Sequence, residues 1–338
     1  FMELYKRRND VKENTERPWV TEKNGKYMYY GNFDWYEYLF DFSQPTWNHD
    51  ISITGGNDKL NYLISGSHFT KDGLYALNTD KYKTYNLNLK MTSQVKPWLK
   101  ITGAAMLYKS DYKSPGYDFE DGGNVPNLTF HAMPFVTPYN PDGSAVYTTQ
   151  VAGSAPADGF AAMMAQGYSH SQAKQTQFRT SVGGVFSVFS GLDITGNFTY
   201  MRYNREKLYR SANMTYSQTP NVIEKATTGF FSDKLRENNT IEEHFSYDLF
   251  ATYERKFNDH NFKVLGGMNH QQHTYKRIYA AKAGLQSNDL TDLNLGTGVA
   301  EPAVGQNSWA ILGFFRRLSY DFLGKYLALA HIVLHVTC

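Results

Sequence analysis

Apolar side chains on every second residue are the feature that most limits how this chain can fold, and they recur from Trp47 to the end of the sequence. The stretch from Thr84 to Thr92 shows the pattern most clearly. One face of this extended stretch carries Tyr85, Leu87, Leu89 and Met91, and the other carries Thr84, Asn86, Asn88, Lys90 and Thr92. A strand with one apolar and one polar face fits a transmembrane β-barrel, and it equally fits a soluble antiparallel sheet.

The connections between strands favour the barrel. The alternation predicts strands near 48–55, 60–69, 82–92, 98–108, 178–190, 192–203, 244–255, 262–273, 308–322 and 325–334. Short connections rich in turn-forming residues, at 55–58, 93–97, 190–191 and 257–261, alternate with long loops near 109–177, 204–243 and 274–307 and a smaller one at 70–81. An outer-membrane barrel places its long loops on one side of the membrane. We therefore predict an all-β fold: a partial antiparallel transmembrane β-barrel of about ten strands.

The composition agrees with this prediction. Aromatic residues make up 16% of the chain, and barrels use Tyr and Trp to form girdles where lipid meets water. A mean hydropathy of -0.53 excludes a helical membrane protein. The apolar stretch from Tyr326 to Val336 contains His331 and His335 and is shorter than the roughly twenty residues of a membrane-spanning helix.

Charge and cysteine content exclude other classes. Lys and Arg number 34 against 32 acidic residues, without the concentrated basic face of a nucleic-acid-binding protein, so no nucleic acid partner is expected. The only cysteine, Cys338, excludes an internal disulfide. The first residues, Phe1 to Lys6, lack the basic start and apolar core of a signal peptide.

Several ordered segments resemble a known family. The sequence around Asp34–Phe40, followed by Asn48–Gly56, resembles the start of a barrel in that family. Further similar segments are Leu60–Ser67, Lys71–Leu74, Tyr82–Leu87, Trp98–Ile101, Asn140–Gly143 and Phe314–Leu327. Together these segments resemble the SusC/RagA-type TonB-dependent outer-membrane transporters of the Bacteroidetes.

The resemblance implies a domain organisation for the chain. Residues 1–46 are expected to lead from a plug into the barrel and to be partly irregular, and 47–327 to form part of the barrel. Residues 328–338 depart from the family pattern, and we expect them to be a tail read out of frame or a divergent final strand. Barrels of this family have about 22 strands and follow a plug domain and a TonB-binding segment, so we expect the chain to be a fragment of such a transporter.

The resemblance also implies a function for the parent protein. We expect import of large nutrients, glycans or peptides, across the outer membrane, with a SusD-like surface lipoprotein and the TonB complex as partners. Loop aromatics that could stack on a sugar are Tyr117, Phe119, Phe130, Phe135, Tyr139 and Tyr147. Packing within the loops is the simpler explanation for each of them, and the substrate-binding residues are unknown at this stage. A small complete barrel, acting as an adhesin or passive pore, and a soluble all-β binding protein remain alternatives.

No catalytic, cofactor or metal site is predicted, and we expect the protein not to be an enzyme. The acidic run of Asp118, Glu120 and Asp121 lacks the spacing of a calcium loop. His270 and His273 are three residues apart on a strand, and this spacing places them on opposite faces. Asp193 and Asp248 are expected to face a water-filled lumen with Thr195, Asn197 and Thr252, and nothing in the sequence places them at the separation that a glycosidase needs.

Overall fold

The fold is one long antiparallel sheet with a layer of loops at one end. The computed structural model describes residues 17–115, 133–147, 160–226 and 233–337, together with Glu13 and Thr15. Ten strands of the described residues pair in the order in which they occur along the chain, apart from a small hairpin placed between the sixth and seventh of them. The predicted all-β fold is confirmed.

The ten sheet strands have the following bounds. They are β3 (Thr46–Gly56), β4 (Leu60–Asp72), β5 (Lys81–Lys96), β6 (Leu99–Pro115), β7 (His170–Phe189), β8 (Leu192–Ser211), β11 (Lys234–Phe257), β12 (His260–Ala283), β13 (Glu301–Phe322) and β14 (Tyr326–Thr337). Outside this sheet lie the hairpins β1 (Val20–Lys23) with β2 (Lys26–Tyr29) and β9 (Met214–Thr219) with β10 (Val222–Ala226), the helices α1 (Trp35–Leu39) and α2 (Phe160–Gln166), and a 3-10 turn at Leu293–Leu295.

The strand register separates an apolar face from a polar face. In antiparallel sheets, residues directly opposite each other share a face. Tyr247 pairs with Phe198 on β8 and with His270 on β12, and Leu89 pairs with Ile64 and with Ala105. On β8 and β11 this apolar face carries Leu192, Ile194, Phe198, Tyr200, Phe245, Tyr247, Leu249 and Tyr253. The predicted inward residues lie on the polar face: Asp193, Thr195, Asn197, Asp248 and Thr252.

The apolar face is exposed across its whole width. Ile51 is 70% exposed, Val182 is 55% exposed and Phe198 is 46% exposed. The hydrophobic clusters of the described residues lie elsewhere, in the loop layer. A soluble sheet would bury such a face against a second layer. The exposure of the apolar face therefore indicates that lipid surrounds it.

Short turns close one end of the sheet. Gly191 follows Ser190 between β7 and β8, and its φ of 94° lies in the left-handed region that glycine adopts without strain. The predicted short turns near 55–58, 190–191 and 257–261 are confirmed as the positions of connections. The predicted turn at 93–97 is displaced, because β5 continues to Lys96 through a register shift between Gln94 and Lys96.

The strands extend further towards the long loops than the alternation predicted. β11 and β12 have 24 residues each, which at about 3.3 Å per residue and a tilt of about 40° gives a wall roughly 60 Å tall. The apolar band of a membrane barrel is only about 25 Å tall. Above such a band both faces of a strand are polar. Apolar and polar side chains then no longer alternate along the strand, although the strands remain paired. The predicted loops near 109–177, 204–243 and 274–307 are therefore too long, and the connections run over 116–169, 212–233 and 284–300.

The structure describes parts of the first and last segments, and their predicted roles stay predictions. Because β3 starts opposite Lys71 and ends beside the short turn, residues 17–45 lie at the long-loop end of the sheet. In this region Asp41 N–H donates to Leu74 O at 2.8 Å. The predicted lead-in over 1–46 is thus part of the loop layer where the structure describes it. The strand predicted over 325–334 is present as β14, paired with β13, and whether 328–338 are read in frame stays a prediction.

The helices of the described residues are too short or too polar to cross a bilayer.

Substituting arginine on the apolar face is expected to destabilise the folded barrel far more than the same change on the polar face. Val182 and its neighbour Ser181 form a matched pair on opposite faces of β7. We expect Val182→Arg to lower the free energy of unfolding by about 2–4 kcal/mol, because a charge facing lipid is costly near the bilayer midplane. Ser181→Arg should change it by less than about 1 kcal/mol. Urea titration of the full-length protein folded into lipid vesicles measures both, and equal effects would contradict the assignment of the faces.

Candidate functional site

The polar face carries a wall of hydrogen-bonding side chains, with the rings of Phe250 and Phe315 among them. Ser187 Oγ donates to Asp193 Oδ1 at 2.6 Å, and Asn269 Nδ2 donates to Asp248 Oδ1 at 2.5 Å. The two aspartates are offset by four residues in the β8–β11 register, which corresponds to about 13 Å at 3.3 Å per residue. A glycosidase pair needs roughly 5–9.5 Å, so each aspartate belongs to a local polar network.

A histidine and tryptophan rung crosses the polar face above this wall. His244 on β11 pairs with His273 on β12, and His273 pairs with Trp309 on β13. The His273 and Trp309 rings stack with centroids 5.6 Å apart and an interplanar angle of 18°. His273 Nε2 lies 3.2 Å from Glu242 Oε2. This rung was not predicted. Alternation along a strand indicates the face on which each residue lies, but its partner on the next strand depends on the register between the two strands.

The two histidines singled out in the sequence do not share a site. His270 pairs with Tyr247 on the apolar face, with ring centroids 4.9 Å apart, whereas His273 lies on the polar face. Their predicted placement on opposite faces is confirmed. Within the described residues, no group of three or more His, Cys, Asp or Glu side chains is arranged to hold a metal ion.

The loop layer at the long-loop end has its own hydrophobic core. Trp35 and Leu39 of α1 are buried against Met163 of α2, Ala145 and Met214. Asp34 caps α1 by accepting hydrogen bonds from the N–H groups of residues 36 and 37. The N-terminal segment, the first long loop and the β9–β10 hairpin therefore pack into one layer.

Hydrogen bonds to backbone carbonyls join the same segments. The Trp35 indole N–H donates to Met133 O at 3.0 Å and to Val136 O at 3.1 Å. Asn140 accepts from the Tyr29 hydroxyl at 2.7 Å and donates to Ser217 O at 3.0 Å. Buried polar groups with such long-range partners fix one arrangement of the loops.

The Asn140–Gly143 motif forms a tight turn in this layer. Gly143 has a φ of 82° and its N–H donates to Asn140 O at 2.9 Å. Asp142 accepts from Ser144 and from the Tyr27 hydroxyl, which lies at 2.7 Å. The bonds from Ser144, and then the bond from Tyr27, hold the pKa of Asp142 below its usual range. Burial and the same bond to Asp142 raise the pKa of Tyr27 to about 12.

The loop aromatics that could stack on a sugar have different surroundings. Phe135 packs against the hydrophobic cluster that contains Val136, and Tyr147 lies edge-on to Tyr216 with ring centroids 5.0 Å apart. Tyr139 is 43% exposed at the surface of the layer. Packing thus accounts for Phe135 and Tyr147 and leaves Tyr139 accessible. Other candidates lie outside the described residues: Tyr117, Asp118, Phe119, Glu120, Asp121 and Phe130.

One buried arginine ties the loops to the end of the sheet. Arg210, at the end of β8, is fully buried and forms an ion pair with Asp233. Its other guanidinium nitrogen donates to Ser287 O at 3.2 Å and to Asn288 Oδ1 at 3.4 Å. Asn288 in turn donates to Asn213 O at 3.1 Å. Arg210 therefore connects the loops 212–233 and 284–300.

The sequence is similar to those of known TonB-dependent receptors. No protein-family model matches the sequence. The TonB-dependent receptor P3 of Formosa agariphila is 23% identical over 300 residues, and the TonB-dependent receptor P26 of the same bacterium is 24% identical over 316 residues. In both cases the match covers 88% of this chain and 28% of the relative, so the chain spans little more than a quarter of the length of these relatives.

The fold matches a solved transporter. The structure of the RagAB peptide transporter superposes with a TM-score of 0.71 and 21% identity over 91% of this chain and 33% of that one. The RagAB peptide importer in its open-open state gives the same TM-score at 20% identity. The resemblance to the SusC/RagA-type TonB-dependent transporters is confirmed. The location in the outer membrane is confirmed with it.

The barrel fold determines whether each face of the sheet meets lipid or water. In a transmembrane barrel the apolar face meets lipid and the polar face lines the lumen. The Asp193 and Asp248 networks and the His273 rung therefore face the lumen of the barrel, and the long-loop end is its extracellular end.

Removing the Arg210 guanidinium is expected to loosen both loops that it joins. Arg210→Met leaves the Asp233 carboxylate with little access to solvent and without its cation, a change that costs about 3–5 kcal/mol for a buried ion pair. We expect amide hydrogen exchange in 212–226 and 284–300 to become at least tenfold faster.

The double variant R210M/D233N provides the test of mechanism, since removing both charges should restore part of the protection. The exposed pair Lys263–Glu254 provides the control, and Lys263→Met should change exchange little because exposed pairs contribute about 0–1 kcal/mol. Unchanged exchange in R210M would contradict the role assigned to Arg210.

Proposed function

We propose that this chain forms part of the barrel of an outer-membrane importer for large nutrients. The observation that carries the proposal is the ten-strand sheet itself, which superposes on RagAB with a TM-score of 0.71 and combines an exposed apolar face with a polar lumen face. The loop layer, packed around Trp35 and Met163, supplies a structured entrance at the extracellular end.

Glycans and peptides are the two cargo classes that we propose. The RagAB structures are described as those of a peptide transporter or importer, which supports peptides. The exposed ring of Tyr139 at the surface of the loop layer supports contact with sugars, since aromatic rings present a flat apolar surface.

We propose that import depends on partners outside this chain. The family resemblance implies a SusD-like surface lipoprotein at the extracellular end and the TonB complex on the other side of the membrane. Membrane lipid covers the apolar face, and no nucleic acid is involved. We further propose that the protein transports its cargo without modifying it, and that it is therefore not an enzyme.

Nutrient uptake in the native host tests this proposal. Disruption of the full gene is expected to abolish growth on one large glycan or peptide substrate and to leave growth on its monomers unchanged, because monomers do not need this barrel. Depletion of TonB should have the same effect. A strain complemented with the intact gene is the control.

Three outcomes would each contradict the proposal. Uptake that persists without TonB would favour the alternative of a passive pore. Unchanged growth on every polymer, together with loss of surface attachment, would favour an adhesin. Recovery of the native protein from the soluble fraction would favour a soluble all-β binding protein.

A further inference from the structure

Two tyrosines flank a carboxylate on the lumen face, directly above the His244–His273 rung. Tyr203 on β8 and Tyr275 on β12 both pair with Glu242 on β11. The Cα atoms of the two tyrosines are therefore about 10 Å apart across two strand spacings. We name Tyr203, Glu242 and Tyr275 the tyrosine clamp.

A cavity of about 250 Å³ is lined by all three residues of the clamp. Side chains of a strand stand roughly perpendicular to the sheet, so Tyr203 and Tyr275 project side by side into the lumen. Carbon atoms in contact lie about 3.5–4.0 Å apart, and two rings with one flat ring between them are therefore about 7–8 Å apart. The spacing of the clamp thus admits one sugar ring between its tyrosines.

The carboxylate of Glu242 is held in place between the tyrosines and still reaches the cavity. Glu242 Oε2 lies 3.2 Å from His273 Nε2, and the His273 ring stacks on Trp309. The Glu242 side chain remains 33% exposed. A carboxylate has two acceptor oxygens, so Glu242 can accept a hydrogen bond from a ligand hydroxyl while it keeps its contact with His273.

Hydrogen-bond donors line the same cavity above the clamp. They include Thr240, Asn238 and the lumen-facing cations Arg205 and Arg277. Arg277 donates to Asn238 Oδ1 at 3.0 Å, which holds these two side chains together. A sugar hydroxyl both donates and accepts, and the cavity offers donors beside the acceptor of the clamp. Its lining side chains are polar or tyrosine, which suits a sugar better than the apolar side chains of a peptide.

A third aromatic surface lies next to the clamp. Trp309 on β13 is 36% exposed, and it lies one level below Tyr275, which pairs with Asn307. Successive side chains on one face of a strand are about 6.6 Å apart. Neighbouring rings of one saccharide chain can therefore contact the clamp and Trp309 in succession.

We propose that the tyrosine clamp binds one ring of an oligosaccharide as the chain enters the lumen. This inference rests on the proposed import function and narrows its cargo to saccharides. Tyr203 and Tyr275 present flat apolar surfaces to the two faces of the sugar ring. Glu242 accepts hydrogen bonds from the hydroxyl groups of that ring, and such bonds are strengthened by the charge of the carboxylate.

Binding of defined probes to the full-length protein, purified from its native membrane in a detergent without a sugar headgroup, tests this inference. The probes are fluorescently labelled hexasaccharides, one each of glucose, galactose, mannose, xylose, fructose and galacturonic acid units, and fluorescence anisotropy measures their affinity. We expect at least one of them to bind, and an equally labelled pool of random hexapeptides to bind at least tenfold more weakly.

Variants of the clamp locate the site. Y203A/Y275A removes both rings and should weaken binding of that hexasaccharide at least tenfold, whereas Y203F/Y275F keeps both rings and should weaken it less than threefold. Glu242→Gln keeps the size of the side chain without its charge and should weaken binding at least threefold. The matched control Y82A/Y112A removes two rings that pair with each other on the lumen face of β5 and β6, outside the cavity, and should weaken binding less than twofold.

The results separate this inference from the proposed function. Unchanged binding in Y203A/Y275A, or an equal loss in Y82A/Y112A, would overturn the clamp as the binding site. Hexapeptides that bind as tightly as the saccharides, or six hexasaccharides that all fail to bind, would overturn the assignment to saccharides. None of these results affects the polymer-uptake assay in the native host, so import can stand while the saccharide site fails.

Discussion

The antiparallel backbone ladder is the constraint on which the rest of this structure depends. Within a bilayer no water is available to backbone N–H and C=O groups, so each strand must pair on both sides. The ladder runs without a break from β3 to β14, and it leaves one edge on each of these strands. In the membrane both edges have to be paired, because each unsatisfied backbone group costs several kcal/mol there.

The ladder also explains why the extracellular part of the protein is ordered. Strands such as β11 and β12 continue far beyond the apolar band, and the loops start from a raised rim. Arg210 lies at that rim and connects two loops, while Trp35 and Asn140 connect the N-terminal segment to the first long loop. The lumen-facing cations lie just below this rim, between the loop layer and the histidine rung.

The face of the sheet on which a strand residue lies could be predicted from the sequence, because odd and even positions along a strand always lie on opposite faces. Tyr247 and Phe198 fall on the lipid face and Asp248 on the lumen face, as their alternation indicates. The upper strand segments could not be predicted, since in Arg236–Glu243 only Ile241 is apolar and the period of two is lost. The β1–β2 hairpin was missed although its signal, Asn24-Gly25, is present: both residues have positive φ, as a type I′ hairpin turn requires.

Sites formed by residues of several strands also could not be predicted from the sequence. Arg205 and Arg277 are 72 positions apart in the numbering, and only the shared partner Thr240 brings them together. The His244, His273 and Trp309 rung has the same origin. For the loop residues Phe135 and Tyr147 the sequence favoured packing over contact with a sugar, and in the structure both pack against neighbouring side chains.

The most direct measurement of the central claim is a site-by-site label scan along β8 in the full-length protein. Single cysteines from residue 193 to residue 200, in a cysteine-free background, are labelled with an environment-sensitive dye and exposed in turn to lipid-bound and water-soluble quenchers. Lipid quenching is predicted at 194, 196, 198 and 200, and aqueous quenching at 193, 195, 197 and 199. Uniform quenching by either agent, or the reversed alternation, would contradict a barrel wall with lipid on one face and the lumen on the other.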